Sequence, residues 1–161
     1  MKKYLFLLLI VALLFLSSGQ TYEQQSLIPK LKEWLPDRPL EGLLSALQVP
    51  YWGRTISVES KGYYHFIEFL IRKGAHIVSF GALAAAIFAV LPKIRFRYLL
   101  AFALTVIAAV LDEYHQSLTG GRTPYLGDVA LDAFGAALAL SLIALLQKRN
   151  KMPKQKTAGI S

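Results

Sequence analysis

The chain is 161 residues long, 55% hydrophobic and 17% charged, with a formal net charge of +8. That length leaves room for one domain, and the charged share falls below the roughly one quarter usual in soluble domains. No cysteine is present, which excludes disulfides, thiolate metal sites and cysteine nucleophiles. The Lys and Arg residues flank apolar runs and do not gather in one patch, which argues for contact with anionic lipid and against nucleic acid.

Lys2 and Lys3 precede an apolar run from Tyr4 to Leu16 that ends in Ser17, Ser18 and Gly19. A basic start, a short apolar centre and small residues at the end suit a cleavable signal peptide or a short retained span. From Gln20 to Phe66 the sequence is polar and mixed, broken by Pro29, Pro36, Pro39 and Pro50. Two short amphipathic helices are predicted there, around Glu23–Leu35 and Leu40–Leu47. Tyr51, Trp52, Tyr63 and Tyr64 are aromatics of the kind found at a membrane–water boundary. The segment therefore reads as draped on the membrane surface, with a plain spacer as the alternative.

Gly74–Leu91 is the second predicted span, stopped by Pro92. Its small residues, among them Ala75, Ser79, Gly81 and Ala84, permit close helix approach. The third span starts at Tyr98 and runs into the polar group Asp112–Gln116. The fourth covers Leu126–Leu146, with Asp128 and Asp132 near its start and Gly135 behind them. The expected fold is an all-α integral membrane protein with four transmembrane helices and a long amphipathic extracytoplasmic segment between the first and second. Its domain is 1–147, with spans at about 4–18, 74–91, 98–115 and 126–147. Residues 148–161 form a basic cytoplasmic tail, expected to be disordered.

The basic residues set the orientation. Lys2 and Lys3, then Lys93, Arg95 and Arg97, then Lys148 onward all fall on one side of a four-span chain. Segment 19–72 instead balances six basic residues against six acidic ones. Both termini are therefore expected in the cytoplasm.

This topology brings distant polar residues to the outer membrane face. The second helix carries Lys73 and His76 and the third Asp112, Glu113 and Gln116. The loop beyond carries Arg122, and the fourth helix Asp128 and Asp132. At roughly 100° per residue, Lys73, His76 and Phe80 share one stripe, and Asp128, Asp132 and Gly135 share another. Ionisable groups at the edge of a bilayer are costly, so they turn inward and pair. Such a set can bind an anionic head group or move protons, with His76, Glu113 and Asp128 as the catalytic candidates. Each also has a plainer reading: Lys73 as a snorkelling anchor, His76 as an interhelical hydrogen bonder, Arg122 as an interfacial loop residue. Of Asp112 and Glu113, one is expected to cap or to partner Lys73, and His115 to lie exposed at the boundary. No metal-ligand spacing and no glycine-flanked serine motif is present, so neither a metal nor another cofactor is expected.

Lys73-Gly-Ala-His76, Phe80-Gly-Ala-Leu83, Asp112-Glu113-Tyr-His-Gln116, Gly121-Arg122 and Asp128-Val-Ala-Leu-Asp132-Ala-Phe-Gly135 together resemble the VanZ-like family of bacterial membrane proteins. The resemblance covers most of the chain and favours a retained first helix. It implies a four-helix membrane protein; the founding member contributes to teicoplanin resistance in Gram-positive bacteria. Asp132 stands where such proteins often have asparagine.

The preferred functional expectation is a site open to the outer leaflet that recognises an anionic envelope lipid, a lipid-linked cell-wall precursor or a glycopeptide. Lys73 and Arg122 supply charge there, and His76, Glu113 and Gln116 orient the ligand. The rivals are an enzyme using His76 with Glu113 or Asp128 on a lipid or glycan, and a structural subunit of a membrane complex.

Overall fold

The computed structural model describes residues 1–51, 53–119 and 125–151. Of the described residues, 75% are helical. Its long helices are α1 (Lys2–Ser18), α5 (Tyr63–Val90), α6 (Arg97–Leu118) and α7 (Leu126–Lys151). Between α1 and α5 lie α2 (Ile28–Trp34), α3 (Glu41–Ser45), the strands β1 (Val49–Tyr51) and β2 (Arg54–Ile56), and α4 (Val58–Lys61). Among the described residues three helices, α5, α6 and α7, are long and apolar enough to cross a membrane, which marks the protein as membrane-embedded. At 1.5 Å per residue, the 17 residues of α1 reach about 26 Å, a little less than a hydrocarbon core of about 30 Å.

The second long helix starts at Tyr63 and not at Gly74, a correction with a physical reason. Its 28 residues extend about 42 Å, more than the bilayer core, so its first turns tolerate the charges of Glu68, Arg72 and Lys73. Gly62, at φ +81°, sets the chain direction into it. At the other end Leu91 is extended, as the residue before a proline tends to be.

The segment between α1 and α5 is more folded than a spacer and its helices are shorter than expected. The Glu23–Leu35 helix contracts to Ile28–Trp34, with proline in its first turn. The Leu40–Leu47 helix contracts to Glu41–Ser45. An antiparallel hairpin, pairing Tyr51 with Arg54 and Val49 with Ile56, replaces the all-α expectation. Gly53, at φ +66°, supplies the positive φ that a two-residue link needs. Ile56, Val58, Tyr63 and Phe66 form a small core here, with Leu35, Leu44 and Val49 packed on it. Tyr63 and Tyr64 donate to the carbonyls of Pro39 (2.7 Å) and Leu35 (3.1 Å), tying this cap to the first turns of α5.

The main core lies among the long helices. Phe80, Leu83, Ala84, Ile87 and Phe88 of α5 meet Ala101 and Ala109 of α6 and Ala136 and Leu140 of α7. Leu7, Ile10 and Leu14, one stripe of α1, pack against the same core. The closest approach is between α5 and α7. A Cβ on Gly135 would collide with the Ile77 carbonyl oxygen and stand 2.9 Å from the Ile77 Cα. A Cβ on Gly81 would lie 3.1 Å from the Gly135 carbonyl oxygen. The small residues act here as expected, letting two backbones come together.

The long helices alternate in direction. At one end the Ser18 hydroxyl donates to the Asp112 carbonyl at 3.1 Å, joining the end of α1 to the end of α6. At the other, Lys3 donates to the Ala89 carbonyl at 3.4 Å and Tyr98 to Gln147 Oε1 at 3.2 Å. The bundle therefore has a polar end, bearing the candidate site and the cap, and a basic end, bearing Lys2, Lys3, Lys93, Arg95, Arg97, Lys148 and Arg149.

Candidate functional site

The site is built on the facing stripes of α5 and α7. Lys73 and His76 project from α5 one turn apart, and Asp128 and Asp132 from α7 at the same rise. Held together by the Gly135–Ile77 approach, they pair in two tiers. In the first, Lys73 Nζ lies 2.6 Å from Asp128 Oδ1. In the second, His76 Nδ1 lies 3.1 Å from Asp132 Oδ1. His76 also stacks on Phe80, with ring centroids 6.1 Å apart, so the predicted stripe continues into the core.

Tyr51, at the end of β1, completes the first tier. Its hydroxyl donates to Asp128 Oδ2 at 2.9 Å and accepts from Lys73 Nζ at 2.9 Å. The Lys73 ammonium also lies 4.5 Å from the Tyr51 ring centroid and 5.6 Å from that of Phe69, cation–π contacts that suit a partly desolvated charge. Burial, and then the Asp128 carboxylate, push the Tyr51 phenol above its ordinary pKa, so it stays a hydrogen-bond donor. Tyr51 packs edge-on against Phe69 and Tyr125. The pair is neither sealed nor open: Lys73 and Asp128 keep 20% and 13% of their side-chain surface exposed. Asp132 is more deeply set, at 3%.

The α6 residues take other roles. Glu113 is buried and accepts from the Tyr125 N–H at 2.6 Å. It fixes the start of α7, where unpaired N–H groups and the helix dipole favour a carboxylate. Asp112 accepts from Gln116 Nε2 at 2.6 Å within the same helix. Of the two roles expected for one of Asp112 and Glu113, a cap or a partner for Lys73, Glu113 takes a buried form of the cap, because the close α5–α7 packing puts Asp128 beside Lys73. His115 is not an exposed boundary residue; it is half-buried and stacked on Phe15 of α1, with centroids 4.6 Å apart. Arg122 lies outside the described residues, as do Trp52 and the tail from position 152.

Two groups were missed by sequence reasoning. Tyr51 was legible as an interfacial aromatic but not as a site residue, because a hairpin delivers it. Glu68 did leave a signal: opposite charges four apart in the apolar run Phe66-Ile-Glu68-Phe-Leu-Ile-Arg72. Glu68 is fully buried, accepting from the Leu27 N–H at 2.6 Å and the Tyr22 hydroxyl at 2.9 Å. Arg72 lies 3.4 Å from Glu68, bonds Gln25 Oε1 at 3.0 Å, and covers the Tyr22 ring at 4.5 Å. Burial and the neighbouring Glu68 raise the Tyr22 pKa, so Tyr22 also stays a donor. This network ties residues 22–27 to α5 beside the site.

The family model described as VanZ/LLP1 matches residues 3–147, which takes in the whole site and nearly all of the four long helices. The chain belongs to the VanZ-like family. No curated protein and no solved structure matches it. In this VanZ-like chain the motif residues Lys73, His76, Phe80, Asp128, Asp132 and Gly135 form one continuous contact between α5 and α7. Asp132 is the residue that meets His76. Among the described residues no group of three His, Asp or Glu side chains stands close enough to hold a metal ion.

Proposed function

We propose that this VanZ-like envelope protein recognises an anionic envelope lipid or a lipid-linked cell-wall precursor at its polar end, which faces outward across four spans with both termini in the cytoplasm. The observation that carries the reading is the Lys73 ammonium. It is fixed by Asp128 and Tyr51 at the rim of the bundle and remains partly exposed. A ligand phosphate reaching that rim meets a cation whose position is already set, so little side-chain entropy is lost on binding. Arg122, just before α7 in sequence, supplies the planar fork that a phosphate accepts in two hydrogen bonds. The packing of Leu7, Ile10 and Leu14 into the core supports α1 as the fourth, retained span, and the seven cations gathered at the opposite end support the orientation. A contribution to teicoplanin-type resistance follows if the bound molecule is a cell-wall precursor.

The test uses the purified full chain with a polyprenyl phosphate in detergent. The wild type gains thermal stability on titration, whereas Lys73→Ala and Arg122→Lys lose most of that gain. Equal protection of all three proteins overturns the reading. A cysteine introduced at Thr119 should react with an impermeant maleimide in intact cells, and one at Arg95 only after lysis.

Catalysis is the second reading, and one contact favours it. His76 held by Asp132 at 3.1 Å is a base with its orienting carboxylate, so Asp132 takes the part first expected of Glu113 or Asp128. His76→Gln abolishing turnover of a bound lipid while leaving its affinity intact separates the two readings.

A further inference from the structure

A cavity lies at the basic end, away from the candidate site. It has a volume of about 510 Å³ and opens between the end of α5, the start of α6 and the end of α7. Lys93, Arg95, Arg97, Tyr98, Gln147 and Asn150 line it. Among the described lining residues there is no Asp or Glu, so the cavity has a single sign of charge and several polar donors. Arg97 is anchored: Nε donates to the Phe88 carbonyl at 2.8 Å, and its guanidinium lies 4.0 Å from the Phe88 ring. Its position is therefore set before any ligand arrives. Lys93 and Arg95 are exposed at the rim.

The surroundings say what such a cavity fits. Ile94 of its lining and Phe96 and Leu99, next in sequence to lining residues, expose 48%, 62% and 64% of their surface, and Leu142, Leu145 and Leu146 of α7 are also exposed. A cationic hollow with apolar side chains running from its rim along two membrane helices matches an amphiphile with an anionic head and acyl tails. A soluble anion would use the hollow and leave the flank unused. We infer that this cavity is a binding site for the head group of an anionic phospholipid, with Lys93, Arg95 and Arg97 facing the phosphate and Tyr98, Gln147 and Asn150 the head-group hydroxyls. The site is independent of the ligand proposed for the polar end.

The experiment uses the purified full chain in non-ionic detergent, titrated with phosphatidylglycerol or phosphatidylcholine, with bound lipid counted by native mass spectrometry. The wild type should retain one phosphatidylglycerol in clear preference to phosphatidylcholine. Lys93→Gln/Arg95→Gln should bind it about 30-fold more weakly, the effect of removing two interfacial cations. Lys148→Gln/Arg149→Gln removes the same charge from the same end, outside the lining, and should bind as the wild type does. Both double variants change exposed side chains, and a melting curve for each shows that it is folded. Equal retention of the two lipids, or equal weakening of the two double variants, overturns the inference. So does full competition by glycerol phosphate at the lipid's own concentration, because the acyl flank would then contribute nothing.

Discussion

The two ends of the helical bundle both carry cations and treat them in opposite ways. At the polar end two cations and an imidazole each have a carboxylate within reach: Lys73 with Asp128 and His76 with Asp132 between helices, and Arg72 with Glu68 within α5. At the basic end no ion pair is found among the described residues, and the polar contacts of Lys3 and Arg97 run to the backbone carbonyls of Ala89 and Phe88. Pairs between helices are costly to desolvate and specific in geometry, so they record which residue faces which. Unpaired surface charges record only which side of the membrane they prefer. One end of the molecule encodes register and the other encodes orientation.

The sharpest way to break this contrast is at Gly135. Gly135→Ala places a methyl group against the Ile77 backbone, which cannot rotate away. The helices must separate and both tiers of the site come apart, at a cost of about 3 kcal/mol or more. Thermal unfolding in detergent measures it, with Gly74→Ala as control, since a Cβ there meets nothing within 4 Å. Wild-type stability in Gly135→Ala would contradict the close approach of α5 and α7.

Next in size is the first tier itself. Asp128→Ala strands the Lys73 ammonium and should cost about 3 kcal/mol. Removing both partners in Lys73→Ala/Asp128→Ala should recover a large part of that loss. A double-mutant cycle reads the coupling directly, and simple additivity would mean that the contact carries no energetic weight.

Tyr51→Phe is a smaller test of the same tier. It removes one hydroxyl that bonds two charged groups, and about 1.5–3 kcal/mol is expected. The sign with pH follows from the raised phenol pKa. The stabilisation is fully present below the ordinary value of 10.0 and is lost as pH climbs from there toward the folded-state value. Wild type and Tyr51→Phe should therefore converge in stability under alkaline conditions; a gap that stays constant would detach Tyr51 from the pair.

The smallest effect belongs to the other end. Arg95→Gln should change stability by no more than about 0.5 kcal/mol, because the side chain is exposed and pairs with no carboxylate among the described residues. A large loss there would erase the distinction between the two ends.

Much of the site was legible before folding. Lys73, His76 and Phe80 on one stripe, and Asp128, Asp132 and Gly135 on another, follow from helical periodicity alone, and their pairing confirms both stripes. What misled was local charge. Glu68 and Arg72 made the first turns of α5 read as loop, although the helix passes through them. Asp112 and Glu113, adjacent in sequence, left open which of them caps and which partners Lys73; Glu113 holds the start of α7 and neither reaches Lys73.

The apolar runs, their flanking cations and the spacing of polar residues on each helix are properties of consecutive residues, and the sequence alone determined them: a membrane protein, its main helices and the faces that carry chemistry. Which face meets which was decided only by the tertiary structure. Gly135 and Gly81 let α5 and α7 approach until Asp128 reached Lys73 ahead of any α6 carboxylate. A hairpin of three-residue strands then delivered Tyr51 to the same ion pair. Partner choice depends on distances across helices, and close packing sets those distances through side chains far apart in the chain.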